Sequence, residues 1–149
     1  MSEPPLRLHA SAVAIGEAGI LIRGPSGSGK SSLALALIAQ ARAQGRFARL
    51  VADDRTEIAL RGGRLLACPV PPLAGLVERR GLGLTPEPHL SAAVLRLIVD
   101  CGAEPQRMPE PEALVEAICG ISLPRLTLRP HPGEERLILA ALALFADSA

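Results

Sequence analysis

The sequence predicts an α/β domain built on a mixed sheet with flanking helices. Three observations carry that expectation. An apolar stretch, Gly19-Ile20-Leu21-Ile22-Arg23, runs into a glycine-rich loop and then into a strong helix former, Ser32-Leu33-Ala34-Leu35-Ala36-Leu37-Ile38-Ala39. Two further apolar segments of strand length end in acids, at Asp53-Asp54 and at Asp100. The connections are short, which favours a sheet that is partly antiparallel. With 149 residues and no repeat or linker, the chain is expected to form one domain, 1–149, with a single core.

Composition narrows the function classes. Hydrophobic residues make up 48% of the chain, which argues against disorder. Aromatics are only 1%, so Leu, Val, Ile and Ala must fill the core, and base-stacking platforms are missing. Lys+Arg 16 against Asp+Glu 15 leaves a net charge of +1, giving no electrostatic case for nucleic acid or an anionic membrane. The apolar runs are too short or too broken to span a bilayer. Met1-Ser2-Glu3-Pro4-Pro5 lacks the positive and apolar regions of a signal peptide. Cys68, Cys101 and Cys119 are widely spaced, with no Cys-x-x-Cys or zinc pattern. They read as reduced core thiols of a cytoplasmic protein.

In chain order, residues 6–10 begin or lead into the first strand. His9-Ala10-Ser11-Ala12-Val13-Ala14-Ile15 continues to Gly16-Glu17-Ala18-Gly19, a turn with glycine at both ends. Two strands therefore pair ahead of the glycine loop. His9 alone reads either as a surface or satisfied structural residue or as a functional candidate.

Gly24-Pro25-Ser26-Gly27-Ser28-Gly29-Lys30-Ser31 has the spacing of a P-loop, with Gly24, Gly29, Lys30 and Ser31 at the defining positions. Its glycines let the backbone turn tightly and bring N–H groups close to phosphate oxygens. Lys30 is placed to reach the terminal phosphates of a nucleotide, and the Ser31 hydroxyl to coordinate Mg²⁺. Strand, loop and helix together put phosphate at a positive helix N-terminus. The full spacing and both flanks weigh against a plain Gly/Ser turn before an ordinary helix.

That helix is expected to end near Gly45. Leu50-Val51-Ala52 then forms a strand closing on Asp53-Asp54. A P-loop enzyme needs an acid at such a place, to hold Mg²⁺ or a nucleophile. An Asp pair is also a common turn, and Leu95-Arg96-Leu97-Ile98-Val99-Asp100 ends in an acid too, so pattern alone does not choose between the two strands. Residues 57–60 and 64–67 read as a hairpin turning at Gly62-Gly63. Pro69, Pro71 and Pro72 break the chain, a short helical turn is expected over 73–77, and 78–84 reads as a charged, glycine-rich loop. Residues 93–101 form a strand, and 102–111 a polar loop carrying Arg107. A helix is expected over 112–119. A strand follows over 121–128, with Pro124 at an edge or bulge. After a loop over 129–135, an apolar helix over 136–145 packs on the sheet.

From residue 8 to 145 the chain resembles the catalytic domain of HPr kinase/phosphorylase. His9 stands at that family's spacing ahead of the P-loop lysine. Leu50-Val51-Ala52-Asp53-Asp54 is similar to the family's Leu-Val-Ala-Asp-Asp block, and Glu78-Arg79-Arg80-Gly81-Leu82-Gly83 to its signature Glu-x-Arg-Gly-x-Gly. Arg107 sits where the family has a functional arginine. Leu123-Pro124-Arg125-Leu126-Thr127-Leu128-Arg129-Pro130 resembles the approach to the family's last loop. The resemblance implies a P-loop kinase-like fold and ATP- and Mg²⁺-dependent phosphorylation of a serine on an HPr-type phosphocarrier protein. It implies Asp54 as catalytic base, His9 as its assistant, and Lys30 with the rest of residues 24–31 as the nucleotide loop. Ser31 and Glu78 are the implied Mg²⁺ ligands. Arg80 would shape the site, and Arg107 would stabilise phosphate or contact the protein substrate. Asp100 aligns outside the site.

The resemblance also implies a homo-oligomer, hexameric in the family, and a short form lacking the family's N-terminal domain. The late loop reads Arg129-Pro130-His131-Pro132-Gly133-Glu134-Glu135-Arg136 where the family has Arg-Pro-Gly-Arg-Asn. That departure bears on the phosphorylase direction more than on the kinase direction. Two alternatives remain open to the sequence: a small-molecule P-loop kinase, and a non-catalytic module that senses ATP.

Overall fold

Small and β-branched apolar residues build the central strands. The computed structural model describes residues 5–102 and 108–146. Strand β1 spans Leu6–Leu8, β2 Ala10–Ile15 and β3 Ala18–Arg23. β2 is buried at every position and pairs antiparallel with β3. Helix α1, Lys30–Ala43, returns the chain to β4, Ala48–Ala52, on the other edge of β2. β5 (Thr56–Arg61) and β6 (Arg64–Pro69) form the expected hairpin. β7 (Leu76–Arg79) and β8 (Gly83–Pro86) make a second hairpin, outside the main sheet. β9, Ala93–Cys101, runs parallel to β3. A 3-10 turn at Pro111–Leu114 leads into β10 (Val115–Ile118) and β11 (Ile121–Leu128), and α2 (Glu134–Ala146) ends the described chain.

The main sheet has the order β1-β5-β6-β9-β3-β2-β4, and β11 also lies parallel to β9 with β10 beyond it. The sheet is therefore mixed, as the short connections require. Ile20, Ile22, Leu97 and Val99 pack with Leu33 and Leu37 of α1 and Ile138 and Leu142 of α2. Ala12, Ala14, Leu21 and Ile98 pack on the other face, with Ile58, Leu65 and Ala67 of the β5–β6 hairpin. Instead of the single core expected, there are two apolar layers. A bulge sets which side chain joins which layer. Gly19 pairs with Leu95 but Ile20 with Leu97, so Arg96 is skipped and Leu95 and Leu97 fall in different layers. The largest fully buried side chains are all Ile and Leu, as the scarcity of aromatics demands.

Three expected elements are corrected. Residues 112–119 are not a helix: the 3-10 turn stops at Leu114, and Val115–Ile118 pairs with β11. Glu and Ala favour helix locally, but ladder pairing outweighs a propensity of tenths of a kcal/mol per residue. Residues 73–77 form turns, with Leu73 N–H bonded to Val70 O, before becoming strand at Leu76. The charged loop over 78–84 is mostly the two strands of the β7–β8 hairpin. Pro124 immediately precedes Arg125, the first β11 residue paired with β9, so it sits at the margin of that ladder. All three cysteines are free. Only Cys101 is a core thiol, pushed up to about 11 by burial and then by Asp100; Cys119 is exposed.

Four charges lock the strands beside the P-loop. Arg23 Nε and Nη2 donate to the Asp100 carboxylate at 2.7 and 2.9 Å, and Nη1 donates to Glu116. Arg125 Nη1 donates to Glu116 Oε1 at 3.2 Å, and Arg125 Nε lies 2.6 Å from Asp100 Oδ2. The group joins β3, β9, β10 and β11. Arg23's hydrogen bond holds the Glu116 carboxyl below its usual value, against the opposing effect of burial. A carboxyl depressed in the folded state stabilises the fold above its unfolded value and loses that contribution as the pH falls. Glu116→Gln is therefore expected to melt below wild type at pH 7. The gap should close as the pH drops through the carboxylate range, read by thermal unfolding across pH. A constant gap would place the effect in packing instead.

Candidate active site

The P-loop sequence gives its loop no room for side chains at the turn. Gly24 has a φ of 157°, and a Cβ there would lie 2.6 Å from Ser28 Oγ and 2.9 Å from Cys101 O. Gly29 precedes α1 with a φ of 95°, and a Cβ there would meet Pro130 at 3.3 Å. So the late loop over 129–133 leans on the nucleotide loop. Pro25, Ser26 and Gly27 are exposed along the turn. Ser28 Oγ is buried with no hydrogen-bond partner among the described residues. An orphaned hydroxyl inside a glycine cradle at a helix N-terminus fits an anion such as phosphate.

Lys30 is 5% exposed. Its ammonium donates to Gly24 O at 2.8 Å and Pro25 O at 3.1 Å, which leaves one of its three protons. It also lies 3.9 Å from Asp54 Oδ1. His9, in the link between β1 and β2, brings Nε2 to 2.6 Å from the same Asp54 oxygen. Asp54 follows β4 with a φ of 65°, a left-handed backbone uncommon for a residue with a side chain. Its side chain is 54% exposed, so the acid faces solvent beside a buried lysine.

Asp53 takes the other direction. Its Oδ1 accepts from Ser31 Oγ at 2.6 Å and from Ser11 Oγ at 2.9 Å, and its Oδ2 accepts from the Glu78 N–H at 3.0 Å. The carboxylate thus gathers α1, β2 and β7. Mg²⁺ prefers oxygen ligands, usually one or two from protein with phosphates and water completing the shell. Ser31 Oγ and Asp53 offer oxygens at one point, and residue 78 is bonded to the same carboxylate, so this donor set fits Mg²⁺. No group of three or more His, Cys, Asp or Glu converges among the described residues, as a dedicated protein cage would require.

Of the residues expected at the site, the structure brings His9, Lys30, Ser31 and Asp54 together around the loop of residues 24–29. Glu78 reaches it by its backbone, with its side chain exposed. Arg80 is exposed at the hairpin tip and makes no hydrogen bond or ion pair among the described residues. Its neighbour Arg79 is the tethered one, bonded to Thr85 and to Glu87. Arg107 lies outside the described residues. Asp100 is held by Arg23 and Arg125. Sequence reasoning missed Ser11 and gave Asp53 no role of its own. The available signal was a lone hydroxyl in an otherwise apolar buried strand.

Fold and loop define a P-loop kinase-like protein with its acids just after β4, which lies across β2 from the strand that enters the loop. Residues 3–86 match the family described as HPr Serine kinase C-terminal domain. The chain is 41% identical over 87 residues to an HPr kinase/phosphorylase of Clostridium tetani, covering 58% of this chain and 27% of that protein. It is 34% identical over 152 residues to the HPr kinase/phosphorylase of Geobacillus thermodenitrificans, covering 94% of this chain and 47% of that one. The solved structure titled Hpr(Ser) kinase/phosphatase from Coxiella burnetii superposes with a TM-score of 0.69 at 27% identity, over 96% of this chain and 90% of that one. This chain belongs to the HPr serine kinase C-terminal domain family. It spans about half or less of the length of the two kinase/phosphorylase relatives.

Asp53→Asn removes the charge at the junction while keeping its shape. Mg²⁺-dependent ADP binding is expected to weaken by ~10- to 100-fold, the usual cost of disturbing a metal site's supporting shell, with little change in metal-free ADP binding. Calorimetric titration with and without Mg²⁺ measures both.

Proposed function

We propose that the chain is an ATP- and Mg²⁺-dependent protein-serine kinase acting on an HPr-type phosphocarrier. The observation that carries this reading is the Asp54 carboxylate: half exposed, 2.6 Å from His9 and 3.9 Å from Lys30 at the mouth of the loop. An alcohol near pH 7 is a poor nucleophile, and a carboxylate within reach removes its proton as the new bond forms. Asp54 takes the proton of the acceptor serine. The serine oxygen forms its bond to the γ-phosphorus, the bond to the β-bridging oxygen breaks, and ADP leaves. His9 holds the carboxylate in place. Lys30 and the amides of residues 24–29 stabilise the charge that spreads over the transferring group. Ser31, with Asp53 and Glu78 beside it, would hold Mg²⁺, which when bound would supply charge neutralisation to the phosphates. A half-exposed base suits a hydroxyl presented by another protein better than a small metabolite that must be enclosed.

The reverse direction belongs to the same reading: phosphate attacks phosphoserine, Asp54 returns the proton to the leaving oxygen, and pyrophosphate forms. The contact between Pro130 and Gly29 gives the altered late loop a place from which to modulate it. Arg80 and Arg107 are assigned to shaping the site and contacting phosphate or acceptor. A homo-oligomeric assembly and a cytoplasmic setting complete the proposal. Among the described residues, no helix is long and apolar enough to cross a membrane.

Incubation with purified HPr-type protein, Mg²⁺ and ATP should raise the acceptor's intact mass by about 80 Da, one phosphoryl group. Asp54→Asn should cut that transfer by ~10²- to 10⁴-fold while nucleotide still binds. Undiminished transfer by Asp54→Asn removes the base assignment. Lys30→Ala should weaken both ATP binding and transfer, and equal affinity by calorimetry would take Lys30 out of the site.

A further inference from the structure

We propose that Ser11 is the positioning residue of the acid pair: its hydroxyl directs the Asp53 carboxylate and fixes the backbone that aims Asp54. The inference rests on the kinase reading above, with Asp53 on the metal side and Asp54 as base.

The fold gives no other reason for a hydroxyl here. β2 reads Ala10-Ser11-Ala12-Val13-Ala14-Ile15, and all six residues are buried. Ser11 is 0% exposed, and its backbone is already placed in the ladder opposite Ile22 of β3. Alanine would serve the strand as well, because a buried hydroxyl is costly unless it is bonded. The hydroxyl of Ser11 both donates and accepts, and both bonds go to the two aspartates. It donates to Asp53 Oδ1 at 2.9 Å and accepts from the Asp54 N–H at 3.0 Å.

Each bond has its own consequence. Asp53 Oδ1 is shared by Ser11 and Ser31, while Oδ2 is taken by the Glu78 N–H. When the Ser31 hydroxyl turns to a cation, Ser11 remains to hold Oδ1 in direction. The second bond captures the N–H of a residue at a φ of 65°. Such a backbone persists only where its surroundings over-determine it. Capturing that N–H directs the Asp54 side chain towards His9 and Lys30. Ser11 acts through Asp53 and Asp54.

Ser11→Ala, checked for folding by circular dichroism, is the direct test. Its kcat for transfer to the HPr-type acceptor should fall ~10- to 100-fold with the acceptor KM unchanged, the scale expected for a lost supporting hydrogen bond. ADP affinity in the presence of Mg²⁺ should weaken, with metal-free ADP affinity as in wild type. Ser11→Thr keeps the hydroxyl and should restore both. If Ser11→Ala does not fold, Ser11→Cys, close in shape but a poor hydrogen-bonding group, should show the same losses. A folded Ser11→Ala with wild-type kcat and Mg²⁺ dependence overturns the proposal, as does a folded Ser11→Thr as impaired as alanine. If the wild type transfers nothing to the acceptor, the kinase reading fails, and the Mg²⁺-ADP titration still decides Ser11.

Discussion

The Asp53 carboxylate joins three pieces of chain that are far apart in sequence. Ser31 brings the first turn of α1, Ser11 the start of β2, and the Glu78 N–H the β7–β8 hairpin. Through Ser31 the carboxylate sits at the N-terminal end of α1. The neighbouring Asp54 inherits its position from this junction, since its own backbone conformation is unfavourable in isolation. In the proposed reading, the metal side and the base side of the site are thus one residue apart on the same anchored segment.

The loop beside that junction rests on a fixed platform. Arg23, the last residue of β3, directly precedes Gly24 and is held by Asp100 and Glu116. Cys101 of β9 closes the space under Gly24, and Pro130 leans on Gly29 from the other side. A preorganised cradle costs little reorganisation when charge develops, which is where electrostatic catalysis gains most. The hairpin differs. It carries Glu78 into the site but exposes Leu82 and Leu84 along its tip. It is moored at its base by Arg79 and Arg42, both of which reach Glu87.

The parts legible in the sequence were those whose signal is local. The run from residue 19 to 39 combines a strand, a glycine loop and a helix former, so β3, the loop and α1 followed directly. Gly62-Gly63 marked the β5–β6 turn. Glu116 defeated the local reading, because its neighbours favour helix while its partners are Arg23, far back in the chain on β3, and Arg125, on the pairing strand β11. The β7–β8 hairpin was hidden by its charges, since a strand pair outside the main sheet buries little and shows no clear alternation. At the candidate site, the position of the acid pair could be read from an apolar strand ending in Asp53-Asp54. The contacts of Asp53 could not, because Ser11, Ser31 and the Glu78 N–H lie 42, 22 and 25 residues away from it in the chain.

The most direct measurement of the central claim is an experimental structure of the protein with ADP and Mg²⁺. The account predicts the β-phosphate within the amides of residues 24–29. It predicts Mg²⁺ about 2.1 Å from Ser31 Oγ, on the Asp53 side of the junction. Asp54 and His9 should face the open end of the diphosphate. Nucleotide bound away from that loop, or Mg²⁺ seated without Ser31, would contradict it.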